Sequence, residues 1–305
     1  MNIVIAGGTG FIGRALCASL CQAGHHVTLL TRRRGETPQP SDSTITAVEW
    51  DGRTAGEWAQ CLEGADVVIN LAGASIADGR WTDARKQLLT DSRILPTRLL
   101  VEAISRRSSK PHTLINASGI GYYGAGDDQA RDENTPQGSG FLADLCLAWE
   151  REALKANQFG VRVIPLRIGM VLGPNGGALA KMLPPFHFFM GGPIMPGTQW
   201  VSWIHRDDLI GLIQWLLVTQ QVSGPINAVA PESVIMAQFC TVLGQIFHRP
   251  SWLPVPSFIL NLMLGELATL MTTGQRVLPK KALSAGYQFQ YPQLDLALRD
   301  ILVKK

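Results

Sequence analysis

Short apolar, β-branched runs alternate along the chain with longer stretches whose apolar residues recur every three or four positions. Runs at 3–6, 26–31, 44–50, 66–72, 112–117, 161–167 and 225–229 have the length and composition of buried strands. Helical spacing holds over 83–106 and 141–157, a short helix fits 54–63, and a further helix begins at Asp207. Near-continuous apolar strands are buried on both faces, and the helices between them act as crossovers of a parallel sheet. The expected fold is therefore α/β, a Rossmann-like doubly wound parallel sheet with a second, smaller C-terminal domain. The sheet would take residues 1–173, with 203–230 returning to it, and the smaller domain would take 174–202 and 231–305.

The first strand breaks into Gly7-Gly8-Thr9-Gly10-Phe11-Ile12-Gly13 at the start of a helix. Gly7 permits a sharp turn, Gly10 lets the backbone approach a pyrophosphate, and Gly13 lets the helix lie against its strand. The helix N-terminus adds free N–H groups and the positive end of its dipole. Gly7, Thr9, Gly10, Phe11, Ile12 and Gly13 are thus the expected dinucleotide cradle. About 20 residues further on, where the adenosine ribose should lie, the second strand ends at Thr31 and runs into Arg32-Arg33-Arg34 with no acid. A carboxylate there would bind the ribose hydroxyls of NAD and repel a 2′-phosphate, whereas arginine pairs with phosphate oxygens through two parallel bonds. NADP(H) is the cofactor expected, with Thr31 and Arg32 beside its 2′-phosphate; a solvated basic turn is the alternative, above all for Arg33 and Arg34.

In doubly wound sheets, ligands lie beyond the carboxyl ends of the strands. Trp50 would then pack on the adenine and Asp51 accept from its amino group, while Leu71, Ala72, Gly73 and Ser75 line the ribose and pyrophosphate. Ile120 joins the cofactor contacts, and Arg80 either adds a phosphate contact or is a surface residue. Arg167 ends a buried strand, so it must pair with a carboxylate or face the cleft, because an unpaired buried guanidinium is costly.

Composition narrows the function classes. A net charge of +3 on 305 residues, with no Lys/Arg block longer than 32–34, argues against nucleic acid. Five cysteines, at 17, 21, 61, 146 and 240, offer neither a metal spacing nor a disulfide framework, which suits a reducing cytoplasm and no metal. The apolar stretch 3–6 is too short for a targeting signal. The strongest candidate membrane segment, 258–271, is interrupted by Asn261, Gly265 and Glu266, whereas a span needs about 20 apolar residues, so none is expected. Met182, Pro184, Pro185, Phe186, Phe188, Phe189, Met190 and Trp200 make 182–200 unusually apolar. That tract suits either a pocket or lid for an apolar or aromatic substrate or a protein-contact surface.

With these residues in view, the chain resembles an extended short-chain dehydrogenase/reductase of the nucleotide-sugar epimerase type. The matching pieces are the Gly7 to Gly13 loop, Asn70-Leu-Ala-Gly73, Tyr123-Gly124, Leu166-Arg167 with Gly173-Pro174, and Trp203-Ile-His-Arg-Asp-Asp208. Arg80-Trp81, Lys86, Asp91-Ser92-Arg93, Gly140-Phe-Leu-Ala143, Trp149-Glu150 and Gly274-Gln-Arg-Val-Leu-Pro-Lys280 resemble, more narrowly, an atypical NAD(P)-dependent epimerase-like branch. Its members are often labelled cell-division inhibitors or uncharacterised oxidoreductases. The resemblance implies a Rossmann-like domain, a small C-terminal module and NADP(H).

It also exposes a gap. Ordinary members use a Tyr-x-x-x-Lys pair on one helix, in which the lysine lowers the phenol's pKa. None of the four tyrosines, 122, 123, 287 and 291, has a lysine four residues on, and the helix that should carry the pair begins Phe141-Leu142-Ala143-Asp144. Counting back from Tyr123-Gly124, the family's Ser/Thr position falls on Gly119, with Ser118 next to it. The candidate proton donors are therefore Tyr122, Tyr123, Ser118 and Asp144, with His205 as a further one. Each has a plainer role: the tyrosines as walls of the nicotinamide pocket, Asp144 as a surface or ion-pairing residue, and His205 with Asp207 and Asp208 as a helix N-terminus. Two functions follow. One is an NADP(H)-binding epimerase-like oxidoreductase with an unknown small-molecule substrate. The other is a catalytically silent NADP(H)-binding regulatory protein with a protein partner. A homodimer through the helices near 83–106 and 141–157 would be ordinary for such a fold.

Overall fold

A computed structural model describes residues 1–32, 45–254, 268 and 272–303. Arg33, Arg34 and, apart from Ala268, the apolar segment 258–271 lie outside the described residues. The strands are β1 (Asn2–Ala6), β2 (His26–Thr31), β3 (Ile45–Glu49), β4 (Val67–Asn70), β5 (Thr113–Gly119), β6 (Ala130–Arg131), β7 (Arg162–Ile168), β8 (Met170–Leu172), β9 (Trp200–Val201), β10 (Trp203–His205), β11 (Ile226–Ala228), β12 (Val234–Ile235) and β13 (Arg276–Val277). The helices are α1 (Phe11–Gln22), α2 (Asp83–Ser105), α3 (Phe141–Leu154), α4 (Gly177–His187), α5 (Arg206–Val218), α6 (Met236–Phe247), α7 (Lys280–Ser284) and α8 (Leu294–Val303).

Seven strands form one parallel sheet in the order β3-β2-β1-β4-β5-β7-β11. Chain progression reverses between β1 and β4, so the loops that leave these two strands face one another across the switch point where ligands bind in such sheets. Successive residues of β1 point to opposite layers. Ile3 and Ile5 pack with Leu16 and Leu20 of α1 and Leu209, Ile213 and Leu216 of α5. Val4 and Ala6 pack with Leu100 and Ile104 of α2 and Ala153 of α3. Both faces are covered, and this is why the strands read as unbroken apolar runs.

A third cluster, built from Leu172, Leu179, Phe186, Trp203, Phe239, Leu243, Leu294 and Leu298, draws α4, α6 and α8 together beside the sheet. Ala282 and Tyr287, by contrast, pack in the α1/α5 layer of the sheet itself. Several expected elements are shorter or tighter than their patterns. The helix expected over 54–63 is a 3-10 turn, Glu57–Leu62, and the one expected over 141–157 ends at Leu154 and continues as a 3-10 turn, Lys155–Phe159. The apolar tract 182–200 divides: Phe186 is core, while Phe188, Phe189 and Met190 are exposed. Among the described residues, no helix is long and apolar enough to cross a membrane.

Candidate functional site

The loop after β1 makes different demands on its glycines. Gly7 has φ +80°, and a Cβ on it would lie 2.6 Å from the carbonyl carbon of Leu71. A Cβ on Gly13 would come 2.4 Å from the Gly7 oxygen. Both are forced by the chain's own packing. Gly10 is exposed, and a Cβ there would meet only the Gly7 oxygen, at 3.4 Å. The fold itself scarcely needs glycine at that position, whereas close approach of a pyrophosphate would. Gly10 is also the N-cap of α1 and provides no side-chain cap, which leaves the first-turn N–H groups to a ligand. The cradle therefore fits a dinucleotide pyrophosphate.

The neighbouring side chains hold the cradle rather than line it. Arg14 Nε donates to the Thr9 carbonyl at 2.7 Å. Ile12 packs on the α1/α5 layer, and the Phe11 ring fills the space above Gly176, where a Cβ would stand 2.5 Å from it. Phe11 thus ties the loop to the start of α4. At the end of β2, Thr31 is buried and accepts from the Trp50 N–H at 2.8 Å, while Arg32 is exposed, with no carboxylate paired to it among the described residues.

Trp50 does not offer the open adenine-stacking face expected of it. It is 5% exposed and tilted against Trp58 with centroids 4.8 Å apart, because the apolar layer under α2 needs its volume. The Asp51 carboxylate closes its own turn, accepting from the N–H groups of Arg53 and Thr54 and the Thr54 hydroxyl, and these bonds hold its pKa below the usual range. Beyond β4, the buried Asn70 amide donates to Asn116 Oδ1 at 2.7 Å and Thr97 Oγ1 at 2.9 Å, and its oxygen accepts from the Ala72 N–H at 3.1 Å. This fixes the path of Leu71, Ala72 and Gly73. Ser75 and Arg80 are exposed on the continuation of that loop, and Lys181 of α4 reaches over to Ala77 and Asp78. Ile120 packs with Tyr123, Val229 and Val277.

Below the ends of β5 and β7 runs a buried polar chain. Arg167, 3% exposed, grips Glu150 of α3 through Nε–Oε1 at 2.8 Å and Nη2–Oε2 at 2.9 Å. The Ser118 hydroxyl donates to Glu150 Oε1 at 2.7 Å. Arg167 Nη1 donates to the Tyr123 hydroxyl at 3.0 Å, which itself donates toward Asn227 Oδ1 at 2.7 Å and the Asp132 carbonyl at 3.0 Å. The Arg167 guanidinium lies 3.4 Å from the Tyr122 ring centroid. The sequence had left Arg167 either a carboxylate or the cleft; Glu150 is that carboxylate.

Comparison with known proteins places this geometry. The model of the NAD dependent epimerase/dehydratase family matches residues 3–229, and a domain of unknown function, DUF1731, matches 255–301. The chain belongs to the NAD dependent epimerase/dehydratase family. It is 42% identical over 307 aligned residues to the chloroplastic epimerase family protein SDR39U1 homolog of Arabidopsis thaliana, covering 99% of this chain and 87% of the relative. It is 40% identical to the epimerase family protein YfhF of Bacillus subtilis over 306 residues, covering 100% and 99% of the two. The crystal structure of human epimerase family protein SDR39U1 (isoform 2) with NADPH matches with a TM-score of 0.90 and 34% identity over 100% of both chains. UDP-glucuronic acid 4-epimerase from Bacillus cereus shares the fold at 20% identity, with a TM-score of 0.79 over 99% of this chain and 98% of its own.

Within this epimerase fold, the departure from the usual proton relay is visible side chain by side chain. Two residues of α3 four apart, Leu142 and Cys146, lie over Gly121 and Gly119: a Cβ on Gly121 would meet Leu142 Cβ at 3.1 Å, and one on Gly119 would meet Cys146 Sγ at 3.7 Å. Leu142 and Cys146, four apart as the members of a Tyr-x-x-x-Lys pair would be, are a hydrocarbon and a thiol that burial pushes up to about 11. Ser118 and Tyr123 are buried in the polar chain, and burial raises the Tyr123 phenol to about 12. Asp144 is exposed and accepts from Gln137 Nε2 at 2.8 Å, a surface role. His205 is buried and caps α5, its Nδ1 accepting from the Asp207 N–H at 3.1 Å with Nε2 toward Asp300 at 3.6 Å. Tyr122 alone of the proposed donors is half-buried with a hydroxyl that makes no hydrogen bond among the described residues. Asn70, Arg93 and Glu150 were present in the motifs but carried no role, since their partners lie up to 46 residues away.

Proposed function

We propose that the chain is an NADP(H)-dependent, epimerase-like oxidoreductase acting on a small organic substrate. The observation that carries this reading is Gly10, a glycine on the loop after β1 that the fold's own packing does not require. The NADPH held by the human relative supports it, as does Arg32 at the end of β2, which has no carboxylate paired to it among the described residues. When bound, the nicotinamide supplies hydride chemistry. The chain's own residues orient it: the α1 N-terminus and Gly10 for the pyrophosphate, Arg32 for the 2′-phosphate, and the Asn70-anchored loop for the ribose. Tyr122, whose ring stacks on Arg167, is the phenol assigned here to exchange a proton at its hydroxyl.

A second reading, a catalytically silent NADP(H)-binding regulator with a protein partner, draws its support from Leu142 and Cys146 at the relay spacing. Titration of the purified protein with NADPH and NADH, followed by absorbance of bound NADPH during additions of aldehydes, ketones and nucleotide sugars, separates the two. Oxidation by any compound supports the enzyme. Tight NADPH binding without oxidation across the panel supports the regulator, and failure to bind either nucleotide overturns both.

A further inference from the structure

Arg93 of α2 is a cation with no carboxylate paired to it among the described residues. Its Nη1 donates to the Leu89 carbonyl at 3.0 Å and touches Ser92 Oγ at 3.4 Å, and its Nη2 donates to the Ala74 carbonyl at 2.9 Å. The guanidinium packs on Trp149 at 5.2 Å from the ring centroid and lies directly under Gly73, whose Cβ would meet its central carbon at 3.1 Å. No carboxylate among the described residues is within ion-pair distance of it. Two N–H groups stay uncommitted, one on Nε and one on Nη2, the same two nitrogens with which Arg167 grips Glu150. Burial and the nearby charge of Arg85 both lower the Arg93 pKa. Arg85 donates to the Ser75 carbonyl and acts electrostatically on the Asp78 carboxylate, and its buried Nε has no hydrogen-bond partner among the described residues. Leaving the Arg93 guanidinium half-buried without a carboxylate is costly, and an oxyanion ligand would offset that cost.

The surroundings say what kind of anion fits. Ala74, whose carbonyl holds Arg93, belongs with Ile76, Phe141 and Leu142 to a half-buried apolar wall around Trp81, Leu89 and Leu145. Lys86 adds a further positive charge 5.6 Å from the Phe141 ring centroid. Gly73, between this wall and the cradle, is exposed. Arg93 also acts electrostatically on the Cys146 thiol, so its charge reaches α3.

We propose that Arg93 anchors the carboxylate of an apolar organic acid, and that such acids are the substrate class of this cleft. The inference rests on the reading of the cleft as a nucleotide-dependent active site. It is tested by titrating benzoate and its uncharged isostere benzamide into the whole protein by calorimetry near neutral pH, with and without NADPH. Wild type is expected to bind benzoate in preference to benzamide. Arg93→Gln should weaken benzoate by about tenfold or more while NADPH affinity stays within about twofold, and Arg93→Lys, which keeps the charge but not the planar fork, should recover part of the loss. Thermal melts of both variants identify any loss of folding, and the wild-type preference for the charged ligand stands independently of them. Absent or equal binding of benzoate and benzamide to wild type overturns the proposal, as does an Arg93→Gln variant that loses NADPH rather than benzoate. If NADPH fails to bind while the benzoate preference holds, the nucleotide reading falls and the carboxylate site stands.

Discussion

Gly10 and Gly13 are three positions apart and should fail in opposite ways. Gly13→Ala puts a methyl 2.4 Å from the Gly7 oxygen, so it should lower the melting temperature whether or not nucleotide is present. Gly10→Ala meets nothing closer than 3.4 Å and takes a φ of −76° that alanine adopts without strain, so the free protein should melt at or near the wild-type temperature while NADPH binding collapses. A Gly10→Ala variant that binds normally would remove the main support for the cradle. Arg32→Ala should weaken NADPH by about tenfold to a hundredfold, the loss of a charge-assisted contact of about 1.5 to 3 kcal/mol, and leave NADH nearly unchanged. Equal losses for both nucleotides would mean that Arg32 does not read the 2′-phosphate. These positions were legible in the sequence because the steric and charge demands on them are local. Ser118 and Tyr123 were not, since their fates depend on Glu150, 32 residues on, and Asn227, 104 residues on.

The contact between α3 and β7 is pinned by the Glu150 and Arg167 pair, and its energetics depend on which partner is removed. Glu150→Gln should destabilise the fold by about 3 to 5 kcal/mol, because it strands a guanidinium that is 3% exposed. The Glu150→Leu, Arg167→Met double variant should recover most of that loss, as replacement of a whole buried pair by apolar groups often does; denaturant unfolding of the three proteins measures both numbers. If Glu150→Gln proves neutral, the pair is not the clamp its geometry suggests. Tyr123, on the same chain of contacts, gives a pH signature. Its folded pKa is raised to about 12 above the ordinary phenol value of about 10, so its contribution to stability is complete below pH ~10 and is lost as pH rises toward 12. Alkaline absorbance titration should find this phenol ionising only with unfolding. The long elements could be read from the sequence: β5, β7, α2 and α3 fall within a few residues of their apolar patterns. Two-residue strands such as β6 and β13, which pair 145 or more residues apart in the chain, leave no periodicity to detect.

The sheet and the C-terminal segment are joined by buried polar contacts that neither part can satisfy alone. Asp208 at the start of α5 accepts from the N–H groups of Gln290 at 2.7 Å and Tyr291 at 2.9 Å, and the Tyr287 hydroxyl donates to the Asp208 carbonyl at 2.8 Å. Glu133 accepts from Asn227 N–H at 3.0 Å and Lys281 N–H at 3.2 Å, so it bridges β11 and α7. Burial raises the pKa of both carboxyls, which makes those donors worth more than they would be on a surface. The family match to residues 3–229 suggests a self-sufficient unit, but the structure argues otherwise. A chain ending at Pro279 would leave Asp208 without two of its donors at about 1 to 3 kcal/mol each. It would also uncover the hydrophobic faces filled by Tyr287, Leu294 and Leu298, at about 1.5 to 3 kcal/mol for each large side chain. Against a typical total of about 5 to 15 kcal/mol, that loss should abolish cooperative folding. Circular dichroism of the 1–279 fragment is then expected to show no sharp thermal transition and no rescue by NADPH. A cooperative melt with intact nucleotide binding would show that the seam is dispensable.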